Sequence, residues 1–509
     1  MVDESGTLKE LSDTAVSKST SKATRALFLI QTFSTLGFAI LYSTLVLYAT
    51  KKLEISTEMA TAIMGSFAAF NYGLHFLGGY MSGRFISNRH LFIVGMVFQL
   101  VACFVMAQCT IFTMFLGLSM FLTGCGLNVT CVNNMLTQLF ETEDPRREKA
   151  FLWNYSGMNI GFFIGFTVSG YFELAADYSS LFLFGGIGNF IAILVVLLNW
   201  KVLADKDTYL TDKPVGERYK QLWKAYLIII ALFVALNVLL KHSDLSNFLL
   251  IGTGIAMWAI TLVISFSRPS LREKARMIVF FILTMSSLVF WALYQLAPMA
   301  LVVFIDNNLN SVIDVFGNSI KIAPQWVQNI NTVVIVFGAP FMAWLLGVLR
   351  KRGFNISNPA LFATALAAIG LGFAILPIGI ELADPTTGLV AFSWVFWSYI
   401  LQSIGELCIS PIGYAMVGKL IPKKLQGMMM GIWMMTSGVA AVGSTYISNW
   451  AMGNAEETNP LITNAGYSHT FGIIGGIAIA VGILLFILLP WLNKMIDPKV
   501  EETTTTVNV

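Results

Sequence analysis

Glu406, in the stretch GELCISP, stands well inside an apolar run. An ionisable residue at membrane depth is costly, so it needs a partner or a task. A carboxylate there can hold a cationic amine or carry a proton. Its bland alternative is a packing role between helices, bonded to a backbone amide. His75, in FNYGLHFLGGY, is the second titratable candidate, because imidazole changes charge near neutral pH. A histidine bonded between helices to Ser or Thr would explain it equally. The first apolar run contains QTFST, whose helical spacing puts Gln31, Ser34 and Thr35 on one face. These side chains exchange hydrogen bonds but carry no useful charge. The sequence thus offers one buried acid, one imidazole and a neutral polar stripe.

Other chemistries have no support. Cys103, Cys109, Cys125, Cys131 and Cys408 lie in or beside apolar runs without zinc or redox spacing, and read as small packing residues. The remaining histidines, His90, His242 and His469, fall at span ends or in a short loop and read as solvated. No phosphate loop, catalytic triad or metal cluster is visible. An enzyme is not expected, nor a metal or cofactor. Nucleic-acid binding would need a clustered basic face in a soluble domain, and there is none.

The elements that must position these residues are membrane spans. Of 509 residues 56% are hydrophobic and only 12% charged, about half the charged share of a soluble domain. Fourteen apolar stretches are long enough to span roughly 30 Å of hydrocarbon. Alternate loops are basic, carrying Arg84 and Arg89, then Arg146, Arg147 and Lys149, then Lys201 to Lys224, and so on to Lys424. The other loops are acidic or poor in charge; Lys51 and Lys52 are the main exception. The positive-inside rule then puts both termini in the cytoplasm. Segments 1–24 and 496–509 read as disordered cytoplasmic tails. The long basic loop after 200 separates six spans (25–200) from two inserted ones (201–276) and a final six (277–495). This is an all-α polytopic membrane protein, parsed six plus two plus six.

Two six-helix halves are the plan of the major facilitator superfamily, which binds its substrate at the midplane between them. GGYMSGRFISNRH resembles that superfamily's short loop motif, with Gly83 where an Asp is usual. DPRREKAFLWNYSGMNIGFFIG, FWALYQLAPMALVVFIDNN, QNIN and QSIGELCISPIGYAMVGKL narrow the resemblance to the proton-coupled oligopeptide transporter (POT, or PTR) family over roughly residues 26–495. Bacterial members of that family carry the same helix insert.

The resemblance implies a peptide site and shows where this chain departs from it. QTFST lies where the family has ELWER, so Gln31 and Ser34 replace two acids and Thr35 an arginine. Tyr42 replaces a further arginine, Val129 a lysine, and Gln295 a proton-binding glutamate, with Pro298 interrupting the helix nearby. Glu406 and Asn331 match the pair that reads the peptide's amino terminus. Asn159 matches a backbone-contacting asparagine. Phe38, Tyr72 and Trp433 match cavity walls, which Tyr155 can join.

The expected function is therefore transport of di- and tripeptides or peptide-like amines by alternating access. Proton symport through a modified network is expected, with Glu406 and His75 as proton carriers. Alternatives are an uncoupled facilitator, a carrier of another small solute, or a non-transporting sensor on a transporter fold. The expected setting is a bacterial inner membrane, the expected state a monomer, and the expected partners a peptide or amine, protons and lipid.

Overall fold

The computed structural model describes residues 4–141, 144–315, 317–354, 356–453 and 457–496. The chain runs through α1 (Glu4–Leu47), α2 (Thr57–Met81), α3 (Asn88–Met106), α4 (Ile111–Thr137), α5 (Pro145–Leu174), α6 (Tyr178–Leu198) and α7 (Val215–Lys241). It continues with α8 (Ser243–Phe266), α9 (Leu271–Tyr294), α10 (Ala300–Asn308), α11 (Pro324–Lys351), α12 (Asn358–Glu381), α13 (Phe392–Leu420), α14 (Gln426–Met452) and α15 (Pro460–Ile496). Between α10 and α11 stands a small antiparallel hairpin, β1 (Val312–Val315) with β2 (Asn318–Lys321), paired from Val312↔Lys321 to Val315↔Asn318. Its turn includes Gly317 at φ 82°, a conformation glycine adopts without a Cβ clash.

Twelve of the described helices are long and apolar enough to cross a membrane. Two of the fourteen expected spans, α2 and α5, have the length, at 25 and 30 residues, but fall outside that set. α5 opens on the charged run PRREK, and α2 carries Glu58, Asn71 and His75. The expected tail at 496–509 lies beyond the described residues except for Ile496. The expected tail at 1–24 coincides, from Glu4 on, with the polar start of α1.

The molecule divides into two compact units. Unit 1 takes Met1–Tyr42 and Leu74–Lys241; unit 2 takes Ser43–Gly73 and His242–Val509. The inserted helices are shared out: α7 packs on α4 in unit 1, and α8 on α9 and α14 in unit 2.

In unit 1, the α5 glycines Gly157, Gly161 and Gly165 lie at four-residue intervals against α1. A Cβ on Gly157 would sit 2.8 Å from the Phe28 carbonyl oxygen, and one on Gly161 2.9 Å from the Thr35 Cβ. Small residues let helices approach this closely where lipid offers no hydrophobic drive. The YSGMNIG stretch therefore seats α5 on the polar face of α1. The turn between α2 and α3 holds Gly83 at φ 69°, which suits glycine better than the usual Asp. Arg146 pairs with its neighbour Asp144 at 2.7 Å. His90 is half-buried and shares a 3.1 Å hydrogen bond with the Tyr226 hydroxyl of α7, so it is not simply solvated.

In unit 2, the Thr61 hydroxyl of α2 donates to Asn449 Oδ1 of α14 at 2.8 Å, and α12 packs closely on α15 at Gly370 and Gly475. Helix α9 stops at Tyr294, and α10 begins only at Ala300. Pro298 has no N–H to continue the ladder, which accounts for the break. Lys51, an exception to the charge rule, forms a 2.7 Å ion pair with Asp306 of α10. Four of the cysteines are buried and Cys109 is half-buried; none of the five forms a disulfide.

Candidate functional site

Each unit assembles its own set of the expected residues. In unit 2, α13 carries Glu406 towards α11. Its neighbour Gly405 has no room for a side chain: a Cβ would sit 2.9 Å from the Ala365 carbonyl oxygen and 3.0 Å from Phe290. This close seating fixes where the next residue points. Asn331 of α11 donates its Nδ2 to the Glu406 carboxylate at 2.8 Å and to Ser403 Oγ at 3.0 Å. The Tyr294 hydroxyl, at the end of α9, also hydrogen-bonds this carboxylate. Among the described residues no lysine or arginine lies within ion-pair distance of it. A half-buried acid with hydrogen-bond donors but no cation is chemically ready for a cationic ligand or a proton.

Gln295 caps α9 and is fully buried; its Nε2 donates to the Tyr72 hydroxyl of α2 at 3.3 Å. A neutral amide holds this position without a proton. Trp433 of α14 is 2% exposed, edge-on to Phe362 with ring centroids 5.9 Å apart, and fills the space beside Gly413. It is an enclosed packing residue in this structure.

In unit 1 the neutral stripe is a hydrogen-bonded chain. Asn154 of α5 donates to Gln31 Oε1 at 3.2 Å, and Gln31 Nε2 donates to Thr35 Oγ1 at 3.0 Å. The Ser34 hydroxyl turns back to the Gln31 carbonyl at 3.2 Å. Phe38 stacks on Tyr42 at 5.6 Å and meets Phe162 edge-on at 6.2 Å. Asn159 is buried and donates to the Tyr155 carbonyl one turn earlier at 2.9 Å. His75 lies half-buried on α2, and Tyr155 is exposed.

Three participants were missed from the sequence: Ser403, Tyr294 and Asn154. Ser403 was within reach, since it precedes Glu406 by three residues on one helix and so shares its face. Tyr294 directly precedes Gln295. Asn154 gave no local signal.

A model described as the POT family matches residues 85–459. The chain belongs to the POT family. POT members are membrane transporters, and the apolar helices make this one a multi-pass membrane protein of major-facilitator type. Dipeptide and tripeptide permease A of Chromobacterium violaceum is 28% identical over 484 residues, covering 93% of this chain and 94% of its own. Dipeptide and tripeptide permease B of Salmonella typhimurium is 27% identical, covering 94% and 96%. A crystal structure of a peptide transporter POT in complex with sulfate superposes with a TM-score of 0.80 at 24% identity, covering 93% of this chain and 95% of that one. The shared fold thus extends over nearly the whole POT chain.

Proposed function

We propose that this POT member carries di- and tripeptides or peptide-like amines by alternating access. The observation that carries this reading is Glu406, held by Asn331 and Tyr294 with no basic partner among the described residues. A substrate ammonium is the cation this arrangement lacks. The permease relatives support a peptide as the bearer of that amine.

Unit 1 supplies different chemistry. Gln31, Ser34, Thr35 and Asn159 supply neutral hydrogen-bonding groups where a carboxylate would otherwise meet an arginine. This supports a preference for a free amine together with tolerance of a masked carboxyl group. Phe38 in unit 1, and Tyr72 and Trp433 in unit 2, are the aromatic candidates for contact with substrate side chains. We propose proton coupling through Glu406, assisted by His75, so that proton and amine compete for one carboxylate.

A second reading is an uncoupled facilitator. It is favoured by Gln295, whose 3.3 Å bond to Tyr72 needs no titration. Chain order supports six-helix halves at 25–200 and 277–495. The loop charges support both termini facing the cytoplasm of a bacterial inner membrane, with the monomer as working unit. Uptake of a labelled dipeptide into proteoliposomes, with and without an inward proton gradient, tests the coupling. Gradient-driven accumulation is expected; uptake indifferent to the gradient would leave the facilitator.

A further inference from the structure

The polarity of one hydrogen-bond chain defines how the amine would be read. Ser403 is fully buried, and its hydroxyl donates to the Tyr399 carbonyl oxygen at 2.6 Å. A serine has one hydroxyl hydrogen, so towards Asn331 its oxygen can only accept. The Asn331 group at 3.0 Å from Ser403 Oγ must therefore be the NH2 and not the carbonyl. That same NH2 reaches the Glu406 carboxylate, an acceptor, at 2.8 Å. Both amide hydrogens are thus committed, and Asn331 Oδ1 takes part in neither bond. A flipped amide would set oxygen against oxygen at both contacts.

We propose that Ser403 is a positioning residue for substrate specificity. It fixes the Asn331 amide so that Oδ1, together with the Glu406 carboxylate, forms an acceptor pair for a substrate ammonium. This rests on the amine reading of Glu406 given above. An ammonium has three donors and no acceptor, so it gains from two acceptors and is repelled by a donor. Without the Ser403 hydroxyl, the Glu406 contact alone orients the amide, and when that carboxylate turns to the substrate ammonium the NH2 faces the amine part of the time. The consequence is a loss of discrimination between a free and a blocked amine, rather than a loss of transport machinery. Three residues on α13 hold the Asn331 amide of α11, since Tyr399, Ser403 and Glu406 follow at helical spacing on one face.

The test is competition for uptake between alanylalanine and N-acetyl-alanylalanine in proteoliposomes of the full-length protein. Wild type is expected to favour the free amine by more than tenfold. S403A should lower that ratio about tenfold, raising KM for the free amine while leaving maximal uptake rate unchanged. S403T, which keeps the hydroxyl, should retain the wild-type ratio. S403C, close in volume but a poor hydrogen-bonding partner, repeats the S403A measurement if S403A does not fold. A wild-type ratio above ten that persists in the folded S403A or S403C variant overturns the positioning role alone. A wild-type ratio near one overturns the amine site itself, and the positioning role with it.

Discussion

Asn331 of α11 and Glu406 of α13 meet at 2.8 Å, an amide donating to a carboxylate where a cation would be the stronger partner. An amide satisfies one lone pair and leaves the negative charge uncompensated. The arrangement holds the acid in place and keeps its charge available for a ligand. This relationship makes E406Q the first substitution to examine. Binding of amine-bearing substrates should fall at least a hundredfold, while the protein elutes as a folded species of unchanged size. Uptake at the wild-type rate would remove Glu406 from the site.

The neutral chain Asn154–Gln31–Thr35 makes the opposite prediction for added charge. Q31E would introduce an acid without the arginine that accompanies it in relatives. An unpaired ionised group at such a position costs about 2 kcal/mol or more. Thermal melting in detergent should show a deficit at pH 8 that shrinks at pH 5, where the new carboxyl is more easily protonated. A deficit equal at both pH values would mean that charge is not what this face excludes.

Glycine spacing on α5 predicts a stability difference between two similar substitutions. G161A would bring a Cβ within 2.9 Å of the Thr35 Cβ, and α5 would have to move off α1. A loss of about 1–3 kcal/mol is expected from such overpacking. Gly252 on α8 has nothing within 4 Å of an added Cβ, so G252A should be neutral or gain up to about 1 kcal/mol of helix propensity. Denaturation of the two variants side by side checks the contrast.

Asp384, in the loop after α12, has its carboxyl held down to about 2, first by the Thr386 hydroxyl and then by the Thr387 and Thr386 backbone N–H groups. A depressed folded value means that this loop's stabilisation is fully present above pH 4. It is lost as pH falls towards 2. The melting difference between wild type and D384N should therefore be constant from pH 8 to 5 and close below pH 4. A difference that widened with acid would contradict the sign.

Legibility followed the range of the interaction. The apolar runs and loop charges marked the spans, because span length and charge bias are local properties of a segment. Glu406 was found for the same reason: a carboxylate in an apolar run is conspicuous without knowledge of its neighbours. Pro298 marked the break between α9 and α10 through its missing N–H. The YSGMNIG stretch is legible as a motif, and its cause is the approach of α5 to α1 at Gly157 and Gly161. Asn154 escaped because its role is to meet Gln31, 123 residues away in sequence. Lys51 read as a violation of charge bias until Asp306 was found beside it, 255 residues on. Pairings across the chain, not residue types, were what the sequence withheld.

The central claim is that this transporter reads a substrate amine at Glu406 and does not need a free carboxylate. The most direct measurement is uptake of three dipeptides into proteoliposomes: one with both termini free, one N-acetylated and one C-amidated. The account predicts that the free and C-amidated forms compete within a few fold of each other, while the N-acetylated form fails. Transport of the N-acetylated form with rejection of the C-amidated one would contradict it.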